Sequence, residues 1–280
     1  MFSSVQPSLI SLFSSTGSQP LSLFSAHTDQ SLPADSAIHL LNDSSGCSQA
    51  PSPAALISPT DINRESDRPE DYALNQTVLH IQSPTLRTTY IRCPPTHRVA
   101  EASGRARSAH LGLKHPWVHF QVRNLGKAWS FEVGVVDQSG REGIIRCSTF
   151  QRDPCLKLSS PPLLHLPLSF PPSSSHPLTS WATIALNLPS LLLHFSSPNL
   201  MDKSRDPLEG ETETDDDDLD NDDPGKPLPH RILNGAVPTG IYSHVSFIKV
   251  HATCRLRRIW FSEGGPTQNS PWEFQMYAAE

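Results

Sequence analysis

Long apolar runs are missing from this 280-residue chain: the stretches at 163–170 and 191–195 fall well short of the ~20 residues that cross a bilayer as a helix. A soluble chain is expected. The serine-rich start has neither a basic n-region nor an unbroken apolar core, and so gives no support to a signal peptide. Paired cysteines are missing too. The five present (Cys47, Cys93, Cys147, Cys155, Cys254) are odd in number and contain no C-x-x-C. That argues against a disulfide framework or a structural zinc site, and for a reducing compartment. No glycine-rich phosphate loop and no G-x-S-x-G elbow occur, so P-loop and α/β-hydrolase chemistry lack their signatures. Sustained helical amphipathicity is absent as well, which turns attention to strands.

Proline and acid are plentiful instead. The 27 prolines are roughly twice ordinary usage, and proline-rich stretches cannot donate to a ladder, so much of the chain reads as loop. The net charge of −6 is unevenly spread. Between 202 and 223 twelve acids face two bases, a local charge of −10, so the rest of the chain carries +4. A mildly basic foldable part favours an acidic partner surface. The acidic run 209–223 reads first as a solvated segment. Thr212 and Thr214 lie upstream of acids, a context acidophilic kinases accept, and the run is long enough to fold back over a basic face.

Strand signals recur along the chain. Residues 77–82 and 87–93 are rich in β-branched and aromatic side chains, and Pro94-Pro95 closes the second run. Val118, Phe120 and Val122 alternate with His119, Gln121 and Arg123. Phe131, Val133 and Val135 follow, then 144–149, so these three strands predict a meander. Residues 153–178 read as a proline-rich loop, and 181–188 alternate again.

The least interrupted pattern lies at 244–263. Ile248 and Val250 are expected inward, Lys249 and His251 outward, with Phe247 covered on both sides. Thr253-Cys254 breaks the phase, giving two strands or one bent at a bulge. Arg255 and Arg257 are then expected on one face, opposite Leu256, Arg258 and Trp260. Lys249, Arg255, Arg257 and Arg258 form the candidate partner-binding face. The bland reading is a solvated or charge-protected strand. His110, His115 and His119 invite a metal reading, but Pro116 interrupts any helix that would converge them. Five tryptophans (Trp117, Trp129, Trp181, Trp260, Trp272) fit a core more readily than a sugar platform.

The expected fold is all-β: a single antiparallel β-sandwich or jelly roll with long disordered loop insertions. One domain spans 1–280, interrupted at 42–73, 96–109, 155–178 and 196–240, which leaves about 165 residues for the sandwich.

Several motifs, in order, carry a family resemblance. They are Gly17-Ser18-Gln19-Pro20-Leu21, Thr88-Thr89-Tyr90-Ile91-Arg92-Cys93-Pro94, Leu111-Gly112-Leu113-Lys114, Asn124-Leu125 and Phe131-Glu132-Val133. The longest is His251-Ala252-Thr253-Cys254-Arg255-Leu256-Arg257-Arg258-Ile259-Trp260-Phe261-Ser262, and Pro271, Glu273-Phe274 and Tyr277 follow it. Together they resemble the cilia- and flagella-associated proteins of the axonemal inner junction, whose signature reads H-A-N-C-R-I-R-R. Gln19 stands where that family has lysine, and the acidic run breaks a late loop that would meet tubulin, itself acidic.

The resemblance implies a jelly-roll sandwich that is not an enzyme, sits on doublet microtubules and supports cilium assembly and motility. Tubulin and neighbouring inner-junction proteins are the implied partners, without membrane or nucleic acid, in the cytoplasm, cytoskeleton and ciliary axoneme, with the nucleus as a further location. No cofactor and no metal is expected. The alternatives are a carbohydrate- or ligand-binding sandwich module, or a cytoplasmic or nuclear interaction domain in a lineage without cilia.

Overall fold

The computed structural model describes residues 6–47, 76–95, 110–170, 181–201 and 237–274. Two sheets face each other. The first runs β11 (Trp181–Asn187), β6 (Trp117–Asn124), β13 (Cys254–Ser262), β4 (Thr77–Gln82) and β3 (Ala37–Asn42). β1 (Leu9–Ser14) joins β13 beside β4: the first half of β13 pairs with β4 and the second half with β1. The second sheet runs β2 (Ser25–His27), β5 (Tyr90–Cys93), β12 (Tyr242–His251), β7 (Ser130–Asp137), β8 (Glu142–Ser148), β10 (Leu163–Pro167) and β9 (Cys155–Lys157). The expected all-β sandwich is the fold. Among the described residues one α-helix forms, α1 (Leu188–Leu192), five residues long and capped by the Asn187 side chain, which accepts from the Ser190 N–H.

The core lies between the sheets, and period-two alternation builds it. Val118, Phe120 and Val122 of β6 meet Phe131, Val133 and Val135 of β7, all fully or almost fully buried. The Phe120 and Phe131 rings pack with centroids 4.3 Å apart and planes tilted by 34°. Ile248 and Val250 point inward as expected, and Leu256, Ile259 and Phe261 do so from β13.

Several expectations change. The meander does not form: β6 and β7 lie in opposite sheets, and the link between them crosses the sandwich at Gly126, whose φ is +71°, and the buried Trp129. The segment 153–178 is not all loop. β9 and β10 form within it because Leu156 and Leu164 have a core to enter, while the prolines stand between the strands or at a strand end. β10 pairs parallel to β8, so the sandwich is not purely antiparallel. The expected insertion at 42–73 begins too early, since Asn42 ends β3 and Asp43 is buried. At the end of the expected 196–240 insertion, Val237 packs on the core and the Gly240 N–H donates to Asp137 Oδ2 at 3.1 Å. The segment 96–109, the acidic run with Thr212 and Thr214, and Tyr277 lie outside the described residues.

Candidate functional site

Lys249 stands apart from the three arginines: it leaves the outer face of the second sheet, and they belong to the first. Within β13 the phase also shifts. The pairing steps from Leu256 opposite Val122 to Arg258 opposite Gln121, so Arg257 is the extra residue of a bulge. Arg255, Arg258 and Trp260 therefore share the outer face, whereas unbroken alternation put Arg258 and Trp260 opposite Arg255.

On this face the arginines are largely spent on holding the protein together. Asp43, whose side chain has 0% exposure, takes Arg255 Nη1 at 2.7 Å and Arg123 Nη1 at 3.0 Å on Oδ1, and the Trp181 indole N–H at 2.8 Å on Oδ2. Arg255 also donates to the Asp43 carbonyl at 2.8 Å. Arg257 is buried, with Nε on Gln76 Oε1 at 3.0 Å, Nη1 on Gln121 Oε1 at 2.8 Å and Nη2 on the Glu273 carbonyl at 3.2 Å. Burial, with Arg258 beside it, pulls its pKa down. Arg258 is half-buried under the Phe274 ring, 4.7 Å from its centroid, and burial lowers its pKa as well. Phe274 also meets Trp260 edge-on at 5.2 Å, and Gln121 donates to its carbonyl. The C-terminal turn thus lies as a strap over the bulge.

The histidines do not converge. His110 meets His244 at 3.2 Å, His115 meets the Pro7 carbonyl at 2.6 Å, and His119 contacts Ser262 Oγ at 2.8 Å beneath a parallel Trp260. Among the described residues no group of three metal-ligating side chains forms. Among the described residues Ser243 meets the adjacent His244 at 3.0 Å, and two serine–histidine contacts span separate strands, Ser262 with His119 and Ser148 with His165, both at 2.8 Å. Both serines are buried, and burial pushes both imidazoles down to about 4, so neither pair offers a reachable nucleophile with an effective base. Of the tryptophans, Trp129, Trp181 and Trp260 are buried and Trp117 is half-buried; only Trp272 is open, at 77%.

Across the outer face of the second sheet runs a cross-strand row: Arg92, Lys249, Glu132, Arg146 and His165. Glu132 Oε1 accepts from Arg146 Nε at 2.9 Å and Nη2 at 2.7 Å, and His251 Nε2 lies 3.4 Å away. Burial alone would raise the Glu132 pKa, but His251, Arg146 and Lys249 outweigh it and hold the carboxyl at about 2. Lys249 Nζ rests 3.9 Å from the centre of the Tyr90 ring, and the Arg92 guanidinium 4.4 Å from that of Phe247. Burial lowers the pKa of both cations. Arg92 is not among the cations expected on a partner-binding face. Its signal was available, as an outward position on a strand facing Lys249, but only the register shows that the two meet.

The CFA20 domain family matches residues 48–199, more than half the chain. The chain is similar to the "Cilia- and flagella-associated protein 20" of Chlamydomonas reinhardtii, 23% identical over 216 residues, which are 77% of this chain and 81% of that protein. The proteins of the same name in Caenorhabditis briggsae and Caenorhabditis elegans are each 22% identical over 216 residues, 77% of this chain and 76% of theirs.

Proposed function

This chain belongs to the CFA20 domain family, and on that premise we propose that it is a non-catalytic structural protein of cilia and flagella that binds microtubules. The observation that carries the reading is likeness over 77% of the chain to proteins named for cilia and flagella. Charge supports it. The described residues hold thirteen Lys and Arg against nine Asp and Glu, a net +4 suited to an acidic filament. The partners are tubulin and proteins of the doublet inner junction, and the location is the axoneme.

Within this reading the four candidate cations take different parts. Lys249 offers unused donors to a partner, and Arg258 one edge of its guanidinium. Arg255 and Arg257 set the shape of the face from beneath. A tagged copy expressed in a ciliated cell tests the location: signal along the axoneme that remains with salt-washed doublets is expected. Exclusion from the cilium contradicts the proposal.

A further inference from the structure

Two like charges oppose each other on the second sheet. Arg92 of β5 and Lys249 of β12 are direct cross-strand partners, an arrangement that repels. Both are half-buried, and neither makes an ion pair among the described residues. Arg92 donates to the Pro94 carbonyl at 3.0 Å and otherwise rests on Phe247. Lys249 Nζ has the Tyr90 ring and no hydrogen-bond acceptor among the described residues. The nearby acids are committed elsewhere, Glu132 to Arg146 and Glu142 to the Ser246 hydroxyl. Both act on Arg92 through space, and Glu132 on Lys249, yet burial prevails and pulls each cation's pKa down. Desolvated cations lacking an anion are unfavourable unless a ligand supplies one. A recess of about 300 Å³ lies here, with Arg92, Lys249, Glu132, Glu142, Ser246 and Phe247 in its walls.

We infer that this recess docks a single carboxylate, carried by a Glu or Asp side chain of an acidic partner peptide. Arg92 offers the planar fork that fits a carboxylate, Lys249 offers three rotatable donors, the Phe247 ring lines the recess beside Arg92, and the Tyr90 ring packs on Lys249. Local charge selects the ligand. Arg146, from outside the recess, neutralises Glu132, so in the walls Arg92 and Lys249 against Glu142 leave one positive charge, which a carboxylate neutralises and a phosphate, near −2, overshoots. The inference rests on the proposed binding of an acidic protein partner and names the side chains that take it.

The test titrates the full chain with a labelled, end-blocked hexaglutamate peptide, using hexaglutamine and inorganic phosphate as competitors. Lys249→Met and Arg92→Gln are each expected to weaken the glutamate peptide by about tenfold or more. Each should leave the melting temperature unchanged or higher, because a repulsion is removed. Lys127→Met, an equal loss of charge elsewhere, should change binding by less than about twofold. Glutamine competing as well as glutamate, phosphate displacing the peptide more strongly than glutamate does, or losses no larger than that of Lys127→Met would each overturn the pocket. Microtubule pelleting separates this from the functional reading. A chain that never pellets yet holds hexaglutamate through Lys249 keeps the pocket and loses the function. Pelleting alongside peptide binding indifferent to both substitutions does the reverse.

Discussion

Asp43 collects two guanidiniums and an indole on one carboxylate with no exposed side-chain surface. Replacing it with alanine leaves two cations facing each other across β6 and β13 without their anion. Asp43→Ala should therefore cost about 3–5 kcal/mol in urea unfolding, whereas a surface pair would cost under about 1 kcal/mol. Nothing in the sequence marked this residue. It sits where β3 runs into a Ser/Pro/Asp-rich stretch, and its partners are 80, 138 and 212 residues further on. The arginines were legible as strand residues with an outward charge; that their charge is consumed by a buried acid was not.

Titration at the residue scale gives a pH profile. His119 and His165 are held at about 4 when folded against an ordinary 6.5, so the unfolded chain takes up protons first as pH falls. Their contribution is whole above 6.5 and is lost between 6.5 and about 4, on the order of 1–3 kcal/mol each. Glu132, held at about 2 against 4.5, adds stability that is whole above 4.5 and fades toward 2. Urea midpoints should fall between pH 7 and 5 and again below about 4.5. His119→Gln should flatten only the first fall, and an unchanged slope there would show that the imidazole is not the group titrating.

At the scale of elements, bulges decide which face a side chain reaches. Alternation read from the sequence was correct as far as Leu256 on β13 and failed beyond it, because a bulge inserts one residue and period two has no symbol for that. β12 carries its own irregularity between Val245 and Phe247, opposite Gly134. A Cβ at Gly134 would collide with Ser246 Oγ and the Phe247 ring. Gly134→Ala should thus cost about 1–3 kcal/mol by overpacking and lower the melting temperature. The C-terminal strap gives a second check. Phe274→Ala removes the ring from Arg258 and Trp260, so a loss of about 1–2 kcal/mol and a red-shifted tryptophan emission are expected. Unaltered emission would mean that Trp260 is not covered by the strap.

For the whole molecule, what the sequence made plain was the two-sheet core, since Val118 to Val122, Phe131 to Val135 and Ile248 with Val250 each alternate strongly enough to declare a buried face. Sheet membership was not plain. Consecutive strands β6 and β7, and again β12 and β13, look like hairpins in sequence but divide between the sheets, because crossing the sandwich needs only a short link with a buried anchor such as Trp129 or Ala252. The strands β9 and β10 were hidden by the prolines around them. Charge is likewise divided at this scale: the described part holds +4 within a chain of −6. The proposed attraction to an acidic filament draws on the basic faces of the sandwich, and it should be screened by salt. Co-sedimentation of the full chain with polymerised tubulin, at about 50 mM and about 300 mM salt, tests this most directly. Microtubule binding through charged faces predicts saturable pelleting at low salt that weakens several-fold at high salt. A chain that stays in the supernatant at both would contradict it.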